Sequence, residues 1–415
     1  MQTSSSTPVR EAGKGSPLLS VLAGLFIACL FLFFTWRGIL IYYTGDDLMN
    51  LYGYWSKPLS SLVKANIFFW TPYYRPLGGI IYRTMFAIFG FNPYPLYIVF
   101  FAAMLLNLWL AYLVFKRIGG SGEVGAIATL LYAFHGKLDY LYYNAGSMYD
   151  VFCFLFFFLA LLIYLRARLQ DRFPGVWETL GFLACFVCAL NSKEMAAALP
   201  VIVFLYELIF HPPDFRSLRK LIRWCLQEGR TALLGALCVL IYIPGKLSPD
   251  GLASSPAYVP LYTWSRYLED TGVYLANLLY RSNPDEALRV TAFTPFGVGC
   301  IFAVLVAVAL WIRSRVAWFG LLFFVIALLP VSFVTARLGF VLYLPLAGLA
   351  LYAAVGLVRV KDALVGILSA HAPSVGAASP ASASVALFVA TAVVISVIDF
   401  LNWPPAPDPS IRLTK

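Results

Sequence analysis

The sequence predicts an all-α integral membrane protein, a polytopic bundle of about eleven transmembrane helices. Three observations predict it. Of the 415 residues 61% are hydrophobic and 12% are charged, whereas a soluble domain carries about 25% charged residues. The apolar residues gather into runs of membrane-crossing length, and the connections between them alternate between basic and acidic. Aromatic residues make up 17% of the chain, which suits interfacial belts where Trp and Tyr rings sit at headgroup level.

A cytoplasmic tail, residues 1–17, comes first. It is polar, has few positive charges and leads to no small-residue cleavage site, so the run Leu18 to Trp36 reads as a retained span. The membrane domain, residues 18–401, then carries spans over 18–42, 93–115, 122–136, 149–165, 174–191, 195–210, 230–246, 292–312, 316–333, 338–358 and 384–401. The third and fourth are short for the ~20 residues a bilayer needs. A Pro/Ala/Ser-rich linker, residues 369–384, precedes the last span, and residues 402–415 form a short C-terminal tail.

With the N-terminus in the cytoplasm, every connection on that side is basic: Lys116–Arg117, Arg166 to Arg172, Arg216 to Arg230, Arg313–Arg315 and Arg359–Lys361. The outer connections hold Asp46, Asp47, Asp139, Asp150, Glu194, Asp250, Glu269, Asp270, Asp285 and Glu286. Because the basic residues come in short groups between spans and not on one solvated face, the net charge of +10 points to topology, and no nucleic-acid partner is expected. Without a retrieval signal and with a short tail, a bacterial inner membrane fits better than the endoplasmic reticulum. All seven cysteines lie in or beside apolar runs, and Cys185-x-x-Cys188 has no second pair, so they read as small hydrophobes.

Two outer loops are long, residues 44–92 and 247–291. Long ordered loops tend to carry function. Within the first, Leu77 to Phe89 is broken by Gly78, Gly79 and Arg83 and reads as an amphipathic helix at the interface. Within the second, Tyr262 to Arg281 reads as an aromatic, charged helix.

Ionisable groups are expensive at a membrane, so their positions point to a site. Asp46, Asp47, Arg75, His135, Asp139, Asp150, Lys193, Glu194 and Arg337 all fall at the outer ends of spans, and a shared outward cavity is the simplest reading. Adjacent carboxylates hinder each other's ionisation, which moves one of Asp46 and Asp47 toward the range of a general base. The competing reading is a helix start, with Asp46 as cap and Asp47 complementing the dipole. Arg75, expected extended before Pro76, either offers its fork to phosphate oxygens or anchors to headgroups. Lys193–Glu194 is either a simple ion pair or a phosphate contact with its positioning carboxylate. His135 is either a ligand or a satisfied helix-end residue. Three histidines cannot build a His-rich metal site; no cofactor is required, and a divalent metal on Asp46 or Asp47 stays open.

The ordered motifs also carry a resemblance. Asp46-Asp47 is followed by Tyr74-Arg75-Pro76-Leu77, an aromatic span ending in a basic pair, Leu131-Tyr132-Ala133-Phe134-His135, Asp150-Val151, Asn191-Ser192-Lys193-Glu194-Met195, Leu199-Pro200, and Leu342-Tyr343-Leu344-Pro345-Leu346-Ala347-Gly348. This series resembles the membrane half of GT-C glycosyltransferases, closest to the protein O-mannosyltransferase-like group that often carries tetratricopeptide repeats. The resemblance implies a GT-C helical bundle with interfacial helices in the first outer loop. It also implies transfer of a sugar from a polyprenyl-phosphate carrier to a protein or glycan acceptor on the outer face. By the same resemblance Asp46 is the catalytic base, and Arg75, Lys193 and Glu194 line the site. Met148 and Phe340 stand where the family often has basic residues, Arg337 lies about one turn before Phe340, and after Phe400 only a short Pro-rich segment follows in place of repeats.

Two functions follow as expectations. In the first, an inverting transfer needs a base for the acceptor proton and cations to hold the departing phosphate. In the second, the bundle is kept without the chemistry, as a lipid-carrier transporter or an assembly scaffold.

Overall fold

A computed structural model describes residues 17–133, 135–248, 250–251, 256–281, 290–337, 339–371 and 380–402. The expected tails, the middle of the linker, and Asp285 and Glu286 lie outside them.

Helix α1 (Pro17–Thr35) is a continuous apolar run and passes into a 3₁₀ turn, Trp36–Leu40, so the regular helix stops seven residues before the expected boundary at 42. The first outer loop holds three helices; the residues predict Leu77 to Phe89 and a helix start at Asp46–Asp47, and the resemblance implies interfacial helices there. The three are α2 (Gly45–Tyr54), α3 (Leu59–Ile67) and α4 (Pro76–Phe89). Each start has a local cause: Thr44 caps α2, Pro58 precedes α3, and Pro76 opens α4, where a missing N–H costs nothing. The glycines that break α4 as a span are what seat it, since a Cβ at Gly78 would stand 2.2 Å from the Tyr149 ring.

The centre of the bundle follows: α5 (Tyr94–Gly119), α6 (Gly122–Ala133), the short α7 (Asp139–Tyr143), α8 (Met148–Arg168), α9 (Val176–Ser192) and, after the 3₁₀ turn Glu194–Ala198, α10 (Leu199–Phe210). The rest comprises α11 (Leu218–Gln227), α12 (Arg230–Leu247), α13 (Trp264–Leu278), α14 (Pro295–Ile312), α15 (Arg315–Leu328), α16 (Tyr343–His371) and α17 (Pro380–Asn402). Helix α13 is the one expected in the second outer loop. The linker shrinks, because α16 continues to His371 and α17 begins at Pro380.

Every expected span is thus helical, but they are not alike. Among the described residues seven helices are long and apolar enough to cross a membrane by length and composition. Helices α6, α9, α10 and α15 are shorter; α10, with 12 residues, rises only about 18 Å at 1.5 Å per residue. Such helices meet the hydrocarbon only as part of a bundle.

Packing is tightest around α5, α6, α8, α9, α15 and α16. Stacked rings run through that core: Tyr132 on Phe154 at 4.9 Å and Phe154 on Phe158 at 3.9 Å. Lipid tails are as apolar as Leu, so close packing and polar clamps must select the arrangement. The fully buried Asn107 on α5 is such a clamp, donating to Val151 O on α8 at 2.9 Å and to Tyr343 Oη on α16 at 3.2 Å. Helices α1, α14 and α17 leave most of their apolar surface uncovered and form the rim.

The two ends of the bundle differ in charge as expected. Lys116, Arg117, Arg166, Arg168, Arg313 and Arg315 close or open helices at one end, where Lys361 of α16 meets Glu123 of α6 at 2.8 Å. The other end carries Asp46, Asp47, Asp139, Asp150, Glu194, Glu269, Asp270 and Asp399.

Candidate active site at the acidic end

The site starts from the first turn of α2. Thr44 is the N-cap, and Asp47, three residues on, completes a capping box. Asp47 Oδ2 lies 2.9 Å from Thr44 N and accepts from Tyr97 Oη at 3.0 Å, while Oδ1 accepts from Tyr82 Oη at 3.1 Å. The residue is wholly buried. Burial raises its pKa, and the hydrogen bonds from Thr44, Tyr97 and Tyr82 pull the other way; Asp46 is not among the causes. This corrects two expectations. The cap is Thr44, not Asp46, and Asp47, expected with Asp46 as a candidate base, faces protein with both oxygens engaged.

Asp46 is turned the other way. Its Oδ2 accepts from Tyr140 Oη and, at 3.1 Å, from Asn144 Nδ2, while Oδ1 takes no hydrogen bond among the described residues. A Cβ at Gly146 would meet Asp46 Cβ at 2.8 Å, so glycine there is what lets the carboxylate reach its place.

Asp46 lines a cavity of about 580 Å³ together with Arg75, Asp150, Lys193, Glu194 and Arg337. Five short structures deliver these residues: the first turns of α2 and α8, the residues before α4, the α9–α10 connection, and the segment leading into α16. Six of the nine expected site residues therefore converge.

Two ion pairs organise the wall. Arg75 grips Glu194 with both arms, Nη2 to Oε1 at 2.7 Å and Nε to Oε2 at 3.3 Å. Its guanidinium also lies over the rings of Tyr74, Tyr149 and Tyr258, at 4.7, 5.1 and 5.9 Å. Burial works against both charges, but Arg75 and Lys193 hold the Glu194 carboxyl below its usual range, and Glu194 keeps Arg75 protonated. Arg75 is not extended, as Pro76 suggested, but left-handed, at φ 37° and ψ 63°. Such a backbone costs about 1–3 kcal/mol and persists only where surrounding contacts fix it, here the bidentate pair and the three rings. The second pair joins Lys193 Nζ to Asp150 Oδ1 at 2.5 Å, with the ammonium 4.9 Å from the centre of the Phe340 ring.

Arg337 stands over Tyr258 at 4.2 Å. Against burial, Arg75 and then Arg337 hold the Tyr258 phenol below its ordinary pKa. Phe340 lines the same cavity as Arg337 and stacks on Tyr140 at 5.4 Å, whereas Met148 is buried in the bundle.

His135 and Asp139 do not reach the cavity. The His135 ring stacks on Tyr280 at 4.3 Å; Nε2 lies 3.2 Å from Leu278 O, and Nδ1 accepts from Lys137 N at 3.2 Å. Burial lowers its pKa to about 4, so at neutral pH it is an uncharged structural residue. Beside it, Asp399 of α17 accepts from Gly136 N at 2.9 Å and from Tyr280 Oη at 2.5 Å. Asp139 opens α7, where a carboxylate complements the helix dipole.

Sequence reasoning missed Lys246, the penultimate residue of α12. Its Nζ enters the cavity wall, donating to Tyr73 O at 2.5 Å and Thr71 O at 3.1 Å, with no carboxylate in ion-pair range among the described residues. It also missed Tyr140, Asn144 and Tyr258. A basic residue closing an apolar run on the acidic side, against the charge rule, was the available signal for Lys246.

Residues 72–244 match the family model of dolichyl-phosphate-mannose-protein mannosyltransferases. The resemblance read from the motifs is borne out over that stretch, which is somewhat under half of the chain and includes Arg75, Asp150, Lys193 and Glu194. The crystal structure of ArnT from Cupriavidus metallidurans bound to undecaprenyl phosphate is similar over 93% of this chain and 72% of that one, at 15% identity and a TM-score of 0.48. No curated protein matches the chain.

Of the acidic pair, Asp47 spends its oxygens on protein donors, and Asp46 Oδ1 is the oxygen without a hydrogen bond among the described residues. Among the described residues no group of three or more His, Cys, Asp or Glu gathers to hold one.

Proposed function

We propose that this chain is a membrane glycosyltransferase that takes a sugar from a polyprenyl-phosphate carrier and passes it to an acceptor hydroxyl, within one membrane unit spanning residues 18–401. The observation that carries the reading is the meeting of Asp46, whose Oδ1 is unengaged, with Arg75, Lys193, Lys246 and Arg337 around a single cavity. The family match over residues 72–244 supports it. In this reading the acidic end faces the periplasm and the N-terminus lies in the cytoplasm of a bacterial inner membrane.

The reaction divides between two walls. Asp46 takes the acceptor proton as the acceptor oxygen bonds to the anomeric carbon, and the carbon–oxygen bond to the carrier breaks with its electrons going to the phosphate. Attack opposite the leaving group inverts the anomeric centre. A lipid phosphate is already a stable anion, so the demand falls on cations that hold it. Arg75 and Lys193 are half-spent on Glu194 and Asp150; Lys246 keeps one N–H beyond its two carbonyl bonds and Arg337 faces the same cavity. No cofactor enters this scheme. A general base contributes about a hundredfold to ten-thousandfold, so Asp46→Asn in the reconstituted chain is expected to lose transfer by that factor while binding the carrier. Full transfer by that variant would remove Asp46 from the role.

One observation favours a second reading. Two of the cavity's cations, Arg75 and Lys193, are already neutralised by carboxylates, and Phe340 and Met148 stand where the family often has basic residues. A bundle that binds the carrier without chemistry, as a transporter or scaffold, would look like this. Saturable binding of polyprenyl phosphate with no transfer across several acceptors would select it.

A further inference from the structure

At the basic end of the bundle, between α10 and α12, lies a helix that the catalytic reading does not use. Helix α11, LRKLIRWCLQ, has its side chains sorted into three sectors. At about 100° per residue, Trp224, Leu221 and Cys225 fall on one side, Leu218, Ile222 and Leu226 on the next, and Arg219, Arg223 and Lys220 beyond them. The first sector is held by protein. Trp224 Nε1 donates to His211 O at 2.8 Å, and its ring meets Phe204 edge-on at 5.4 Å.

The second sector is bare. Leu218, Ile222 and Leu226 are 73%, 52% and 63% exposed, and Phe215 just before the helix is 69% exposed. The third sector is under-neutralised. Lys220 pairs with Asp214 at 2.8 Å, but Arg216, Arg219 and Arg223 make no ion pair among the described residues. Between His211 and Arg230 five Lys and Arg face only Asp214 and Glu228.

We propose that α11 is an interfacial anchor for anionic phospholipid. Its position selects that occupant: α10 ends and α12 begins at this boundary, and α12 continues the bare surface through Leu233, Leu234 and Leu237. The exposed strip is therefore continuous with the membrane-facing surface and bordered by arginines at the level of headgroup phosphates. An apolar strip flanked by cations is the pattern of helices that lie in the headgroup–acyl boundary. The arginines then supply a preference for negatively charged headgroups over zwitterionic ones.

Hydrogen–deuterium exchange of the full chain in nanodiscs tests this at the helix itself. Each cation near an anionic surface adds about 1 kcal/mol, about fivefold, so amides of residues 215–229 are expected to exchange at least about fivefold more slowly in discs with about a quarter phosphatidylglycerol than in phosphatidylcholine alone. High salt and R219Q/R223Q should each abolish the difference, with α5 peptides reporting that the variant is folded. If the variant does not fold, the lipid and salt dependence of the wild-type chain still decides. Equal exchange in the two lipids, or a difference that survives salt, overturns the proposal and leaves the strip to a protein partner.

Discussion

The two ends of the bundle use the same chemistry to opposite effect. At the basic end Arg168 of α8 lays Nε on Glu207 Oε1 and Nη2 on Glu207 Oε2, both at 2.8 Å, and extends Nη2 to Glu228 Oε2 at 2.7 Å. Tyr164 adds its hydroxyl, and Phe173 lies under the guanidinium at 4.9 Å. Glu207 is wholly buried and its oxygens are used up; the network fastens α8 to α10 and to the turn between α11 and α12. At the acidic end Arg75 makes the same bidentate pair with Glu194, but the pair forms one wall of a void whose other walls carry Asp46, Lys246 and Arg337. A buried ion pair is therefore no pointer to a site by itself. What separates the ends is whether any ionisable group keeps a free bonding position toward empty space.

Breaking the closed network is expected to cost most. Arg168→Leu leaves Glu207 buried without its partner, a loss of about 3–5 kcal/mol. It should appear as a large drop in the thermal midpoint in detergent, with transfer per folded molecule unchanged. A variant with reduced turnover and native stability would erase the contrast. Asp47→Ala is next. It removes the acceptor shared by Thr44, Tyr82 and Tyr97, at about 1–3 kcal/mol, and frees the first turn of α2. Stability and transfer should fall together, and Asp47→Asn, which keeps an acceptor, should recover part of both; a stability change with no effect on transfer would unlink α2 from Asp46. Lys246→Met sharpens the comparison with the smallest effect on stability, acting through carrier binding. A charge-assisted hydrogen bond contributes about 1.5–3 kcal/mol, so transfer at subsaturating carrier should fall tenfold or more, with a smaller change in thermal midpoint than Arg168→Leu. An unchanged dependence on carrier concentration would leave Arg337 as the phosphate contact.

The helices were legible because apolar runs in a bilayer have little freedom; each expected span is helical, but only seven of the helices among the described residues are long and apolar enough to cross alone. Six site residues were legible for a related reason. Alternation of the spans puts every charge at one end or the other, and Asp46, Arg75, Asp150, Lys193, Glu194 and Arg337 lie on the acidic side. Which way each side chain points was not legible. Asp46 and Asp47 are neighbours, but consecutive helical residues point about 100° apart and so meet different partners, and only the Thr44-x-x-Asp47 spacing carried a hint of the capping box. His135 was drawn away by Leu278 O, 143 residues distant in sequence, a contact that periodicity cannot report. Lys246 hid at the end of α12 behind Pro244 and Gly245, where a lone cation reads as a boundary marker.

Asp399 has a consequence of another kind. It accepts from Gly136, 263 positions upstream, and from the Tyr280 hydroxyl. During synthesis α1 to α16 leave the ribosome before that carboxylate does. Until then the ledge beneath His135 lacks its acceptor. Helix α17 therefore latches an edge that the earlier helices leave open, and chains stalled before it would expose that edge beside α6 and α13.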